Sequence, residues 1–193
     1  MRNLPRAVPS TSKRRSKKLT GLSTREEITL LKIIGELNND VIDVLIDTFF
    51  ARDADDGVNV VVASEGGNSD VYSVFIDCTR RHRGAGSLLT LAAGEVYSGA
   101  PIIVAAGSPG KRCAYEHCLF GLHEPYLQET TGDPAVLKAE LSTLQSTIDR
   151  FYTILSQLTH TAVATWRKRL AGKSMVGFDA KQALRWGLID EII

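Results

Sequence analysis

The chain has 193 residues, 44% of them hydrophobic, which is enough for one sizeable core and short for two domains. Its formal net charge of +1 hides an asymmetry: residues 1–25 hold eight of the 23 Lys and Arg and no acid, leaving 15 cations against all 22 Asp and Glu. The body is therefore acidic, which leaves nucleic-acid binding to the leading segment. No apolar stretch reaches membrane-spanning length, and three cysteines with neither a CxxC pair nor an even count argue against a disulfide framework.

Residues 1–25 are rich in Ser, Thr, Pro and cations and have little to bury, so they predict a solvated, poorly ordered tail. The same composition fits an organellar transit peptide, and the KRRSKK run from Lys13 to Lys18 fits a nucleic-acid contact or a nuclear address. The domain proper is expected over residues 26–193.

ITLLKIIGEL, from Ile28 to Leu37, reads as a β-branched strand ending near Gly35, with Asn38 and Asn39 available to cap the next helix. In DVIDVLIDTFFARD, Val41, Val44, Leu45, Thr48 and Phe49 recur at helical spacing, and DADDG closes the helix. VNVVVA, from Val58 to Ala63, is a continuous apolar run suited to a strand covered on both faces, which SEGGN then breaks. A helix over about Val71 to His82 gives way to the RGAGS turn, and SLLTLAAG returns as a strand.

SGAPIIVAAG predicts a buried helix starting near Ser98, because Pro101 is tolerated only in the first turn. GKRCAY and HCLFGLH come next as two short strands. The longest helix begins at Asp133 as N-cap with Pro134 at the first helical position. Along it Leu137, Leu141, Leu144, Ile148, Phe151, Leu155 and Leu158 form a heptad seam, which wants either a partner helix or the chain's own core. DAKQALRWG then reads as a small helix, with Asp179 and Gln182 matching a capping box and Gly187 a C-cap, before the strand LIDEII. The sum is an α/β domain with mostly parallel strands and one protruding helix.

Ser98 lies after a predicted strand at a helix start, where unpaired N–H groups would favour an oxyanion. Serine is also an ordinary N-cap, and the flanks Val96 and Ala100 are not those of a G-x-S-x-G elbow. His123 ends a predicted strand just before Glu124 and Pro125, a common place for catalytic side chains. Gly66 and Gly67 can present backbone N–H groups to a ligand, or form a plain turn. His82, His117 and His160 are weaker candidates. A metal set of Cys113, His117 and Cys118 lacks a fourth ligand at zinc spacing, so these thiols and Cys78 read as buried and the expected metal is none.

Together these pieces resemble the proteolytic subunit of the Clp protease family, over about Ile28 to the C-terminus. GEVYSGAPIIVAAGSPGKR matches the family's G-x-x-x-S-x-G or A, apolar helix and A-G-x-x-G-K-R, with Ser98 as the serine; LHEP at Leu122 to Pro125 matches its I-H-x-P, with His123 as the histidine. ASEGG corresponds to N-S-P-G-G, and ALRWGLID to the closing A-x-x-Y-G-L-I-D. The resemblance implies the ClpP/crotonase fold, a spiral of β-β-α units with a protruding handle helix on the Asp133 to His160 segment. It implies Ser98 and His123 as catalytic residues, and Gly67 and Gly99 as the oxyanion hole.

The family's triad aspartate falls on Met175 in an ungapped match, and the nearest carboxylate, Asp179, is the alternative third member; a backbone carbonyl or another subunit would also serve to orient His123. Val96 and Tyr97 replace two small residues before the serine. The function implied is a serine endopeptidase subunit of a self-compartmentalising, homo-oligomeric ring, one or two stacked, fed unfolded polypeptides by an AAA+ unfoldase. A catalytically impaired ring subunit is the alternative, and an acyl-CoA enzyme of the related crotonase fold a third. No cofactor is implied, since GAGS and GSPGK lack the spacing of a phosphate loop, so ATP would be the partner's. The expected location is cytoplasmic, or an organellar stroma or matrix if residues 1–25 are a transit peptide.

Overall fold

The structure, a computed structural model of the chain, describes residues 28–127 and 131–193. The basic segment 1–25 lies outside the described residues. Seven strands and six helices are found among the described residues, in the order β1 (Thr29–Leu37), α1 (Asn39–Phe50), β2 (Val58–Gly67), α2 (Ser69–Ala85), β3 (Leu88–Tyr97), α3 (Ala100–Ala105), β4 (Arg112–Ala114), β5 (Leu119–Leu122), α4 (Pro134–Thr159), α5 (Val163–Leu170), β6 (Val176–Asp179), α6 (Ala180–Arg185) and β7 (Glu191–Ile192). One sheet runs β1-β2-β3-β4-β7, and every pairing in it is parallel except that of β5 with β6. This is the ClpP-type α/β fold expected from the resemblance.

Two early strands are longer than their apolar runs. β1 continues through Gly35, which takes φ +82° and shifts the register, to Leu37. β2 likewise runs on through Ser64 to Gly67, because Glu36 and Leu37 pair with Gly66 and Gly67 and supply the ladder that two glycines do not favour by themselves. Each helix between these strands starts at the expected kind of cap: Asn38 accepts from Val41 N, and Asn68 from Asp70 N at 2.9 Å.

The core lies between the sheet and α1, α2, α3 and the far half of α4. Phe49, Phe75, Val60, Ile102, Tyr152 and Trp166 are at most 2% exposed, each large side chain contributing about 1.5–3 kcal/mol by leaving water. β3 changes partner along its length: Thr90–Ala92 pair with β4 and Glu95–Tyr97 with β5, with Gly94 at φ +64° between them. That bend sends the end of β3 away from β4 and alongside β5.

α4 divides the heptad seam. Phe151, Leu155 and Leu158 are buried in the chain's own core, whereas Leu141 is 61% exposed and Leu137, Leu144 and Ile148 are only half-buried. The first half of the helix thus protrudes, and only the second half packs on the chain's own core. α5 and β6 were not legible: Trp166 and Leu170 are the only buried residues of α5, and β6 is four residues long.

The two closing motifs meet. Arg112 of the GKR run donates from Nε to Asp190 Oδ2 at 2.8 Å and from its terminal nitrogens to Asp190 Oδ1, Leu158 O and Gly187 O. Asp190 Oδ2 also accepts from Gly110 N at 2.8 Å, so the ion pair joins β4, the end of α4 and the last turn before β7. Burial pushes the Asp190 carboxyl up, but the Arg112 guanidinium and the N–H groups of Arg112 and Gly110 outweigh it and hold the group below the usual carboxylate range. No helix among the described residues is long and apolar enough to cross a membrane.

Candidate active site

The local geometry at Ser98 differs from the one its sequence suggests. Ser98 is not the cap of α3; Gly99 is, and it uses no side-chain bond. Ser98 instead sits one residue earlier in the left-handed region at φ +61°, a conformation that costs a non-glycine residue about 1–3 kcal/mol. Its N–H donates to Gly121 O at 2.8 Å, which continues the β3–β5 ladder and holds the turn. A sharp strand-to-helix turn of this kind is how a nucleophile elbow exposes its side chain, here without the elbow's usual glycine flanks.

The parallel register then delivers the histidine. Tyr97 pairs with Gly121, so Ser98 and His123 leave the ends of adjacent strands within two residues of a paired position. Strands lie about 4.8 Å apart, which makes their ends immediate neighbours. Both residues line an open cleft of about 720 Å³, together with Gly66, Gly67, Gly99 and Met175. A larger groove of about 880 Å³ between α2 and α4 contains none of them, so the chemistry selects the smaller one.

Gly66 and Gly67 need to be glycines for separate reasons. A Cβ on Gly66 (φ +97°) would lie 2.3 Å from Ser98 Cβ, and one on Gly67 (φ +142°) would lie 2.4 Å from Leu37 O. The first keeps β2 against the serine, and the second lets β2 pair with β1 beside it. Gly99 is closely packed, with Tyr72 Cδ1 at 2.9 Å from where its Cβ would be. Its N–H belongs to the set that a helix leaves without an intrahelical acceptor.

His123 Nδ1 lies 2.7 Å from Glu124 O. A carbonyl can only accept, so this hydrogen bond requires Nδ1–H, and in the neutral imidazole that leaves Nε2 with its lone pair. Tyr126 stacks obliquely on the ring, centroid to centroid 5.3 Å. Glu124 is itself held, since Tyr152 from α4 donates its hydroxyl to Glu124 Oε1 at 2.7 Å. Sequence reasoning allowed for a carbonyl but gave no role to Glu124 or Tyr152; the two are 28 residues apart and no spacing rule links them.

Asp179 takes no part in this. Its carboxylate accepts from Gln182 N at 2.7 Å as the N-cap of α6, while Gln182 turns to Arg185 instead of completing the capping box. In the antiparallel β5–β6 ladder Asp179 pairs with Leu119, about four residues or ~13 Å from the histidine end. Met175, one residue beyond the Leu122–Val176 pair, lines the same cleft as His123.

Of the cysteines, Cys113 and Cys118 are buried and Cys78 half-buried, and burial pushes the Cys118 thiol up to about 12. No group of three or more His, Cys, Asp or Glu that could hold a metal is found among the described residues.

A family model described as Clp protease matches residues 11–193, starting inside the basic segment and running to the end. The chain belongs to the Clp protease family. Its relatives in the family are proteolytic subunits at low identity. It is 26% identical over 155 residues to ATP-dependent Clp protease proteolytic subunit 2 of Streptomyces coelicolor, covering 80% of this chain and 69% of that one. It is 27% identical over 154 residues to proteolytic subunit 1 of Corynebacterium efficiens, covering 80% and 72%. A putative proteolytic subunit-like protein of S. coelicolor is 30% identical over 143 residues, covering 72% of this chain and 64% of the relative. The chain thus spans about two thirds of the length of these Clp relatives, and is itself a Clp-type protease subunit.

Proposed function

We propose that this subunit is catalytically active, as a serine endopeptidase of a ring-shaped, self-compartmentalising Clp protease that receives unfolded polypeptides from an AAA+ ATPase. The observation that carries the reading is the 2.7 Å approach of His123 Nδ1 to Glu124 O, a hydrogen bond that only Nδ1–H can make and that leaves Nε2 of the neutral ring as an acceptor in the cleft it shares with Ser98, itself held in a strained turn.

In this mechanism Ser98 Oγ attacks the peptide carbonyl while His123 Nε2 takes its proton and then gives it to the leaving amine. Water then attacks the acyl carbon as His123 Nε2 takes its proton, and His123 returns that proton to Ser98 Oγ as the ester bond breaks, freeing the serine and the product acid. The N–H groups of Gly67 and Gly99 receive the oxyanion, a contribution of about 10²–10³ in turnover for a single donor. In a Ser-His-Asp triad, replacing the aspartate by asparagine costs about 10⁴ in turnover because the imidazole adopts the wrong tautomer. A carbonyl avoids that error, although it brings no charge to the imidazolium. The half-exposed seam of α4 suits a second copy of the chain, as ring assembly requires, and ATP would be bound by the partner. A cytoplasmic or organellar location agrees with this assembly.

The test is labelling by a serine-directed fluorophosphonate, read by mass spectrometry of the peptide holding Ser98. Labelling in the wild type and its loss in Ser98→Ala are expected. An assembled ring that stays unlabelled would overturn catalysis and leave a structural or regulatory ring subunit.

A further inference from the structure

We propose that Glu124 and Tyr152 form a clamp that positions His123, in place of the aspartate this chain lacks. The inference rests on Ser98 and His123 being the reacting pair, and makes Tyr152 and Glu124 positioning residues.

The loop from His123 to Leu127 has no regular structure, so the Glu124 carbonyl is not fixed by a strand ladder. Two restraints act on it. Pro125 confines the preceding residue to extended conformations, which limits where the carbonyl can turn. The second is the Glu124 side chain, whose Oε1 accepts from the Tyr152 hydroxyl at 2.7 Å while the backbone oxygen of the same residue accepts from His123 Nδ1 at 2.7 Å. One residue therefore joins the imidazole to α4.

Tyr152 is a rigid anchor. Its side chain is fully buried, with Phe151 edge-on at 5.2 Å and the Arg167 guanidinium 4.5 Å above its ring. Arg167 is in turn held by Asp149 at 2.5 Å. Burial, reinforced by the bond to Glu124, raises the Tyr152 hydroxyl far above its ordinary range, so it remains a donor at any working pH.

Tyr152→Phe removes the donor and keeps the ring, its stacking with Arg167 and the burial. The expected result is about a tenfold slower kcat and fluorophosphonate labelling, the worth of one such bond, with KM within about twofold. Glu124→Ala should lose a similar factor, Glu124→Gln should recover most of it through its own acceptor oxygen, and the double variant Tyr152→Phe, Glu124→Ala should be no slower than Glu124→Ala. Tyr152→Phe with wild-type kcat, or losses that multiply in the double variant, would overturn the clamp.

A second readout needs no activity. In ¹⁵N-histidine-labelled protein at neutral pH, His123 should hold the Nδ1–H tautomer in the wild type and a mixture in Tyr152→Phe. An Nε2–H tautomer in the wild type overturns the inference whether or not Ser98 reacts. The Nδ1–H tautomer in a ring that stays unlabelled would count against the peptidase reading and in favour of the clamp.

Discussion

His123 and Met175 are neighbours across the open end of the β5–β6 ladder. Leu122 pairs with Val176 in antiparallel register, so the next residue out on each strand is His123 on one side and Met175 on the other, and both line the cleft. The Met175 sulfur also packs beside the Tyr97 ring over Gly121, each within 2.9 Å of where a Gly121 Cβ would be. A thioether fills this corner with polarizable apolar surface where a triad would have a carboxylate.

Met175→Asp should therefore speed labelling of Ser98 at pH 7 by about tenfold, by stabilising the imidazolium. A nearby negative charge favours protonated His123, so the acid limb of the rate profile should move to higher pH. Labelling rates from pH 5 to 9 check both, and an unmoved limb would show that residue 175 does not sense the histidine.

Gly66→Ala should cut Ser98 labelling by two orders of magnitude or more. Its methyl would lie 2.3 Å from Ser98 Cβ at a backbone φ of +97°, so either the serine or the end of β2 must shift. Displacing a reacting group by about 1 Å costs on the order of 10²-fold. Gly84→Ala is the control: a Cβ there meets nothing within 4 Å, and in α2 the change should stabilise by about 0.5–1 kcal/mol with labelling unaltered.

Asp179→Ala should lower stability by about 1 kcal/mol, the value of an N-cap, and leave the labelling rate within twofold. Thermal unfolding and labelling measured on one preparation separate the two effects. A large drop in labelling would return Asp179 to the histidine.

Asp190→Asn should destabilise the fold by about 3 kcal/mol, since it leaves the Arg112 guanidinium, only 10% exposed, without its counter-charge. The wild-type carboxyl titrates below its unfolded value. Its contribution is thus complete above about pH 4 and is lost as pH falls through the depressed folded value. The stability gap between wild type and Asp190→Asn should therefore narrow below about pH 4 in denaturant titrations.

Much of the fold was legible because its signals are local. Asn38 and Asp133 cap helices through their own side chains, Pro134 sits where its missing N–H costs nothing, and the apolar run of Val58 to Ala63 suits a strand covered on both faces. Signals that depend on a distant partner misled or were silent. Ser64 to Gly67 look like a turn until β1 pairs with them, and β6 is too short to declare itself without β5.

The sequence by itself determined the candidates: a serine before an apolar helix, a histidine at a strand end, a glycine pair, and no aspartate at the expected place. Tertiary structure decided what each is free to do. Ser98 read locally is a helix cap, and only the β3–β5 register, which ties its N–H to Gly121, moves it into the left-handed turn and leaves the capping position to Gly99. Asp179 read locally is both a cap and a carboxylate near the motif; the ladder sets it about four residues from His123 and gives Met175 the place opposite. The hydrogen-bond partner of His123 Nδ1 is a backbone carbonyl whose residue is tied to Tyr152, 28 positions away, through side-chain contact that no spacing in the sequence encodes.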